Sequence, residues 1–210
     1  MDVAYYPGCS LHGTAREYGE SARRTAESLG IYFHELDDWN CCGASSAHSV
    51  SDELAFSLTE RNLRKADKTG MDLVVSCASC FQRLKRGEKE LLTKEEIRDG
   101  YSGEHTVRYI TDFIWEELGE KALAAKVTRP LTGLKAVSYY GCLSVRPPRI
   151  TDTRDEENPL AIDSILETIG AEVKPWSYKT DCCGGGLLTR KNSADSRRLE
   201  SVCSISTRGR

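Results

Sequence analysis

Two Cys-Cys-Gly triplets, at residues 41–43 and 182–184, constrain this chain more than any other feature of its sequence. Neighbouring Cα atoms lie about 3.8 Å apart across a trans peptide, whereas a relaxed disulfide needs roughly 4.4 Å or more. The adjacent cysteines are therefore poorly placed to bond to each other, and we expect both sulfurs to face a third group. Gly43 allows the backbone to pass close to that group, because it has no Cβ.

The surroundings of the two triplets are also alike, which indicates an internal duplication. The segments Tyr5–Cys9 and Tyr139–Cys142 share tyrosines, a glycine and a cysteine, and each follows residues that predict a short strand. Gly30 and Gly170 mark predicted helix ends, and the vicinal cysteines follow them by 11 and 12 positions. The copies differ mainly in a longer loop in the second one.

Strands that alternate with helices predict an α/β fold. Thr14-x-x-Glu17 reads as a capping box at the start of one helix, and Asn158-Pro159 as the start of its counterpart. Residues 51–69 predict a further helix, and the strand Asp72–Ser76 leads into Cys77. We predict two pseudo-repeated halves of short strands and flanking helices, with the cysteines at strand ends and in loops. The first domain covers residues 1–130 and the second covers residues 131–210.

The cysteines are too numerous, and too clustered, to be ordinary core residues. In a reducing cytosol clustered cysteines are more often metal ligands or redox catalysts than disulfides, and an odd number also fits pairing badly. Only the isolated Cys203 suits the role of a small buried hydrophobe. The nine cysteines are Cys9, Cys41, Cys42, Cys77, Cys80, Cys142, Cys182, Cys183 and Cys203.

The Cys77-x-x-Cys80 step places two sulfurs close enough to share a metal. A thioredoxin-like dithiol is the alternative, but it leaves Cys9, Cys41 and Cys42 without a purpose. Five cysteines in one half exceed the four thiolates of a structural zinc or a cubane cluster. Either one cysteine is spare or the site is polynuclear, and we favour an iron–sulfur site over zinc or a dithiol catalyst.

Composition excludes several classes of function. A formal charge of −3 argues against an electrostatic grip on nucleic acid or anionic lipid. The N-terminal residues lack a signal peptide pattern, and no stretch approaches the roughly 18 apolar residues of a spanning helix. We therefore expect a cytoplasmic protein with no membrane insertion.

At this point the motifs resemble a known family. The segments "YYPGCSLHGTAREY", "DDWNCCGASSAH", "CASCFQRLK", "YYGCLSVRPP" and "YKTDCCGG" resemble the B subunit of heterodisulfide reductase, the archetype of the CCG-domain proteins. The resemblance runs from residue 1 to about residue 190. The gaps within the first signature are 31 residues between Cys9 and Cys41, and 34 residues between Cys42 and Cys77.

The resemblance implies specific ligands and partners. In this family each complete signature holds a noncubane [4Fe-4S] cluster, and two such clusters cleave the heterodisulfide of coenzyme M and coenzyme B in methanogenesis. A ferredoxin-like subunit supplies the electrons, and it receives them from a flavin-containing subunit. By position, the first cluster would be held by Cys9, Cys41, Cys42, Cys77 and Cys80, and the second signature would begin with Cys142, Cys182 and Cys183.

The second signature departs from the family pattern. Its C-x-x-C step would fall near position 218, but the sequence ends at residue 210 with "RLESVCSISTRGR". We therefore expect a C-terminally truncated second site that is incomplete or filled by zinc, and poor reduction of the heterodisulfide. Two rival hypotheses remain: a CCG electron-relay subunit of another dehydrogenase complex, such as succinate dehydrogenase, and a structural module stapled by zinc.

Other residues are weaker candidates. His48, five residues after Gly43, is a candidate donor to the cluster or to a leaving thiol, although loop histidines are more often surface residues. Lys179 and Arg146 are candidates for attracting an anionic thiol substrate, against the simpler role of solvated surface charge. Trp39 and Trp176 are candidates for shielding a cluster from water, against ordinary core packing.

Overall fold

The computed structural model describes residues 1–44 and 47–184. The strands are Asp2–Tyr6 (β1), Tyr32–Glu35 (β2), Leu73–Val75 (β3), Val107–Tyr109 (β4), Lys135–Ala136 (β5) and Glu172–Val173 (β6). The helices are Cys9–His12 (α1), Arg16–Leu29 (α2), Ala47–Val50 (α3), Asp52–Asp67 (α4), Ala78–Thr93 (α5), Glu95–Arg98 (α6), Ile110–Lys126 (α7), Pro148–Thr151 (α8) and Ala161–Thr168 (α9).

The first half is built on a four-stranded parallel sheet in the order β2-β1-β3-β4. Strand β1 pairs with β2, with Asp2 opposite Tyr32, and with β3, with Ala4 opposite Leu73. Strand β4 pairs with the other side of β3. Because all four strands are parallel, their carboxyl ends lie at one edge of the sheet.

Helices cover both faces of this sheet, as parallel sheets require. Along β1, alternate side chains point to opposite faces. Val3 and Tyr5 belong to a core cluster with α2 and α7, whereas Ala4 and Tyr6 belong to a cluster with α4 and α5. The face toward α4 and α5 is the one on which Cys42 and Cys80 are buried.

The second half repeats the first strand pair on a smaller scale. Strand β5 pairs in parallel with β6, with Lys135 opposite Glu172, in the same relation as β1 and β2. The halves are in contact, because α9 packs against α7 and α8 packs against α5. This arrangement confirms the predicted α/β class with repeated halves. Among the described residues, no helix is long and apolar enough to cross a bilayer.

Two predicted helix starts are wrong. Helix α2 begins at Arg16 and Ala15 is its N-cap, with no side-chain cap, because residues before it turn back so that the Ala15 N–H donates to the Ser10 carbonyl. Helix α9 begins at Ala161 instead of at Pro159, and the Asn158 side chain accepts a hydrogen bond from Lys179 instead of capping the helix. The predicted helix over residues 51–69 is observed as α4, with Ser51 as its N-cap.

Candidate metal centre

The fold brings the cysteines of the first half to the carboxyl edge of the sheet. Cys9 begins α1 just after β1, and Cys41 and Cys42 follow β2. Cys77 is the N-cap of α5 after β3, and Cys80 lies in the first turn of that helix. Short connections from adjacent parallel strands are therefore what places these sulfurs on one side of the sheet.

The cysteine set has a buried side and an open side. The Sγ atoms of Cys42 and Cys80 lie 3.3 Å apart, within hydrogen-bonding distance, and these residues are only 2% and 4% exposed. Cys9 and Cys41 are exposed, and Cys77 is intermediate. A group held by all five sulfurs would thus be shielded on one side and accessible on the other.

Hydrogen bonding among the thiols favours ionised sulfur. The hydrogen bonds that Cys42 and Cys77 share with Cys80 lower the pKa of Cys42 to about 7 and that of Cys77 to about 6, although burial acts in the opposite direction. The same two interactions raise the pKa of Cys80. Burial raises the pKa of Cys41, opposed by the Gly43 N–H, which lies 3.5 Å from its sulfur. Thiolate is the form that binds metal, so lowered pKa values suit a metal site.

Glycines clear space around the sulfurs. Gly8 has a φ of +77°, and a Cβ at this position would lie 2.8 Å from Cys80 Sγ, closer than non-bonded atoms approach. Gly43 has a φ of +76°, and a Cβ there would lie 3.1 Å from the Cβ of Ala47. Both positions therefore require glycine, for conformation and for space.

Tyr6 and Asn62 anchor the loop that carries the vicinal pair. The fully buried Tyr6 donates a hydrogen bond to the Asn40 carbonyl at 2.8 Å, and Asn62 bonds both the N–H and the carbonyl of Asn40. Burial raises the pKa of Tyr6, and the charges of four nearby cysteine sulfurs act in the same direction. Sequence reasoning placed Tyr6 in the repeat but gave it no role, and it missed Asn62, which no motif marks.

The second half repeats this local arrangement. Tyr139 donates to the Asp181 carbonyl at 2.6 Å, and the Gly184 N–H lies 3.4 Å from Cys182 Sγ. Burial raises the pKa of Tyr139 to about 12, followed by the charges of the nearby thiols. These are Cys183, Cys182 and Cys142, of which Cys182 is exposed and the other two are intermediate. Cys203 lies outside the described residues.

The weaker candidates have ordinary structural roles or lie apart. His48 is an exposed residue of α3. Lys179 forms an ion pair with Asp163 at 3.0 Å, and Arg146 forms one with Glu157 at 2.7 Å. Both cations are thus engaged within the protein, which disfavours the expected role in attracting substrate.

The two candidate shielding tryptophans differ. The half-buried Trp39 ring lies edge-on to Tyr6, with centroids 5.3 Å apart, and so lies next to the first cysteine set. Trp176 donates to the Ser138 carbonyl and packs against Tyr139 at 6.0 Å. Each tryptophan therefore contacts the tyrosine that anchors the vicinal pair of its own half.

The donor set fits an iron–sulfur group. The first half supplies cysteine sulfur alone, two of its thiols have a lowered pKa, and glycine leaves room beside the innermost sulfur. Within residues 1–44 and 47–184, no three His, Cys, Asp or Glu side chains are arranged as the ligands of a single metal ion.

Together the fold and the site define a duplicated α/β protein with a cysteine-rich centre at the sheet edge of each half. The CCG cysteine-rich domain model matches residues 3–85 and 136–202. The chain belongs to the CCG cysteine-rich domain family, which confirms the resemblance seen in the sequence.

Three relatives illustrate the range of this family. The chain is 31% identical to the 8-methylmenaquinol:fumarate reductase membrane anchor subunit of Wolinella succinogenes, over 87% of this chain and 67% of that protein. It is 25% identical to the B subunit of a ferredoxin/F420H2-dependent CoB-CoM heterodisulfide reductase of Methanosarcina acetivorans, over 91% of this chain and 68% of that protein. A Methanococcus maripaludis protein named as an uncharacterized iron–sulfur protein is 32% identical over 43% of this chain and 18% of that protein.

Proposed function

We propose that this chain is an iron–sulfur redox subunit of a heterodisulfide reductase-like complex. A noncubane [4Fe-4S] cluster would be held by Cys9, Cys41, Cys42, Cys77 and Cys80. When bound, such a cluster supplies electrons one at a time to a disulfide bond. The observation that carries this proposal is the arrangement of the five cysteines at one sheet edge, with Cys42 buried against Cys80 and with Cys9 and Cys41 exposed.

The protein's own groups divide the work by position. The buried pair of sulfurs, packed beneath Tyr6, keeps water from the inner side of the site. The exposed sulfurs lie on the side that a disulfide substrate can approach. A ferredoxin-like partner subunit would deliver electrons to the same side, and a flavin-containing subunit would supply electrons to that partner. Cys142, Cys182 and Cys183 would contribute ligands to a second site, which would bind zinc or a second cluster.

A second candidate is an electron relay that cleaves no disulfide. The observation that favours it is the 31% identity to the fumarate reductase protein, compared with 25% to the heterodisulfide reductase protein. In this role the same five cysteines would hold the cluster, and the open side would face a partner protein only. The two candidates share the cofactor and differ in whether a small molecule reaches the site.

The test begins with anaerobically purified protein, assayed for iron, sulfide and zinc and by EPR. We expect at least about four irons and four sulfides per chain, because the first half supplies five cysteine ligands. Cys42→Ser should lower the iron content at least about tenfold, because it removes a ligand. The control, Cys203→Ser, should leave it unchanged. Stoichiometric zinc without sulfide would contradict both candidates.

Turnover then separates the candidates. Iron-loaded protein supplied with reduced methyl viologen should oxidise two dye molecules for each heterodisulfide that it cleaves to two thiols, if the first proposal is correct. Iron-loaded protein that reduces none of the disulfides tested, but accepts and donates single electrons, would instead establish the electron-relay function.

A further inference from the structure

A pocket of about 320 Å³ opens beside the first cysteine loop. It lies between the β1–α1 connection, the outer face of α2 and the end of β2. Its lining residue His12 ends the helix α1 that the exposed Cys9 begins, and residues three positions apart share a face of a helix. Its volume is at the lower end of the range for small-molecule sites. Its polar lining consists of Tyr5, His12, Arg16, Glu20, Arg23 and Glu35.

Glu35 organises one wall of this pocket. Its carboxylate accepts hydrogen bonds from the Arg23 guanidinium and, at 3.0 Å, from the Trp39 indole, and it lies 3.0 Å from His12 Nε2. The ring of His12 also lies edge-on to Trp39, with centroids 5.2 Å apart. The charge of Glu35 is thus satisfied internally, and its contacts fix the orientation of His12.

Two polar residues of the pocket keep hydrogen-bonding groups that no other described residue uses. Arg16 donates from Nε to the His12 carbonyl at 2.8 Å, but its guanidinium has no carboxylate partner among the described residues. His12 uses Nε2 for Glu35, and within the same residues its Nδ1 makes no hydrogen bond. Glu20 also lines the pocket, but it forms an ion pair with Arg24 at 2.7 Å. The unpaired charge in the pocket is therefore positive.

The internal duplication shows that the fold does not require this group of residues. Three positions after the first cysteine of each half, the first half has His12 and the second has Val145. Five positions after the helix-end glycine, the first half has Glu35 and the second has Pro175. The tyrosine–carbonyl bond and the vicinal pair occur in both halves, whereas the His12–Glu35 contact occurs in the first alone, among the residues that the structure describes.

We propose that this pocket binds the anionic end of a small thiol or disulfide through His12 and Arg16. Glu35 and Trp39 are positioning residues, because they hold the His12 ring and would not themselves contact the anion. The proposal rests on the proposed function, since a disulfide substrate must reach the exposed Cys9, which shares a face of α1 with His12.

Calorimetric titration of the anaerobic, iron-loaded full chain tests this proposal. The probe is 2-(methylthio)ethanesulfonate, which carries an anion but no reactive thiol, and its neutral counterpart is 2-(methylthio)ethanol. We expect Arg16→Gln and His12→Gln each to raise the Kd for the sulfonate about tenfold, which is the effect of one lost charge-assisted hydrogen bond. Arg16→Lys should restore most of the affinity, because it keeps the charge.

Matched controls come from exposed ion pairs outside the pocket. Arg86 of α5 pairs with Glu90 at 3.1 Å, and His34 is an exposed histidine that pairs with Asp2 at 2.7 Å. Arg86→Gln and His34→Gln should change the Kd less than about twofold. Equal binding of the neutral alcohol, or equal weakening by the control variants, would overturn the proposal.

The two proposals fail in different ways. Sulfonate binding that depends on Arg16 and His12, in a protein that reduces no disulfide, would leave the site standing and refute disulfide reduction. Disulfide turnover whose KM is the same in Arg16→Gln, His12→Gln and the parent protein would refute the site and leave the function standing.

Discussion

The two halves have the same cysteine loop, but the sheet that supports the loop differs in size. In the first half, the Tyr6 hydroxyl holds the carbonyl before the vicinal pair, and Tyr139 does so in the second. The first half rests this loop on a four-stranded sheet, whereas the described part of the second half contributes two strands of two residues each. The loop geometry is therefore set locally, by a tyrosine, a carbonyl and a glycine.

Burial is what the larger scaffold adds. Tyr6 is fully buried, and Cys42 and Cys80 are buried in the same core cluster as residues of helices α4 and α5. In the second half, Tyr139 is partly exposed and Cys182 is exposed. Equivalent substitutions in the two halves should therefore have unequal effects, and the following predictions compare them.

The largest difference is expected for the glycine before the first cysteine of each half. Gly8→Ala would place a Cβ 2.8 Å from Cys80 Sγ and displace that buried sulfur, whereas at Gly141 the nearest atom is a Tyr139 ring carbon at 3.6 Å. We expect Gly8→Ala to lower the iron content about tenfold. Gly141→Ala should leave the iron content unchanged and cost about 1 kcal/mol, because its φ of +68° is unfavourable for alanine.

Iron and sulfide assays, with thermal unfolding as the second measurement, check this pair of variants. Gly8→Ala protein with full iron content would show that Cys80 can shift without loss of the cluster. An equal loss in Gly141→Ala would show instead that both halves contribute to the iron that is bound.

The contact between the halves is the next test. Lys85 of α5 is 8% exposed and pairs with Glu88, 3% exposed, at 2.7 Å, while Asp152 of the second half, 3.3 Å away, is 53% exposed. Lys85→Met leaves the buried Glu88 without its cation, and we expect a loss of about 3 kcal/mol in the free energy of unfolding. This loss is at the low end of the range for removing one partner of a buried ion pair, because the Val107 N–H still donates a hydrogen bond to Glu88.

Asp152→Asn removes the exposed partner of Lys85, a carboxylate that also pairs with Lys89. We expect a loss of about 0.5 kcal/mol, as for surface ion pairs. Denaturant unfolding of both variants gives the comparison. Equal losses would mean that the second half contributes as much to this ion pair as the buried Glu88 does.

The sequence predicted much of this molecule and missed identifiable parts of it. The strand β3 before Cys77, the helix α4 and the duplication were predictable, because apolar periodicity and cysteine spacing are local features. The predicted starts of α2 and α9 were wrong. A turn before α2 puts Ala15 instead of Thr14 at the N-cap, and a distant lysine, Lys179, binds the Asn158 side chain. Asn62 and the His12–Glu35 contact depend on residues that the fold brings together from separate elements, so no spacing rule marks them.

Acidic residues in the first turns of α7 and α9 should give opposite pH dependences. Burial raises the pKa of Asp112 to about 6, with the charge of Glu116 acting in the same direction. Burial also acts to raise the pKa of Asp163, but hydrogen bonds, including those from Lys179 and Tyr140, lower it overall. The first carboxyl lacks a hydrogen-bonding partner within the described chain, whereas the second has two.

The signs follow from proton linkage. Folded Asp112 holds its proton to a higher pH than unfolded Asp112, so its contribution to stability falls as pH rises from about 4 to about 6. Asp112→Asn should therefore stabilise the protein at pH 8 by on the order of 1 to 3 kcal/mol. Asp163 contributes stability above its unfolded pKa and loses it as pH falls through its lower folded value. Asp163→Asn should destabilise the protein at pH 8, and unfolding measured at pH 5 and pH 8 tests both signs.

The smallest effect concerns the two anchoring tyrosines. Tyr6→Phe removes the bond to the Asn40 carbonyl, but that carbonyl keeps a bond from the Asn62 amide at 2.8 Å, so we expect a loss of about 1 kcal/mol. Tyr139→Phe exposes the Asp181 carbonyl in a partly open site, where water can replace the hydroxyl, and we expect less than about 0.5 kcal/mol. Thermal unfolding of the two variants, with iron content as a check on the loop, measures the difference. If Tyr139→Phe cost as much as Tyr6→Phe, burial by the larger sheet would not be what distinguishes the halves, and the second cysteine loop would be as firmly held as the first.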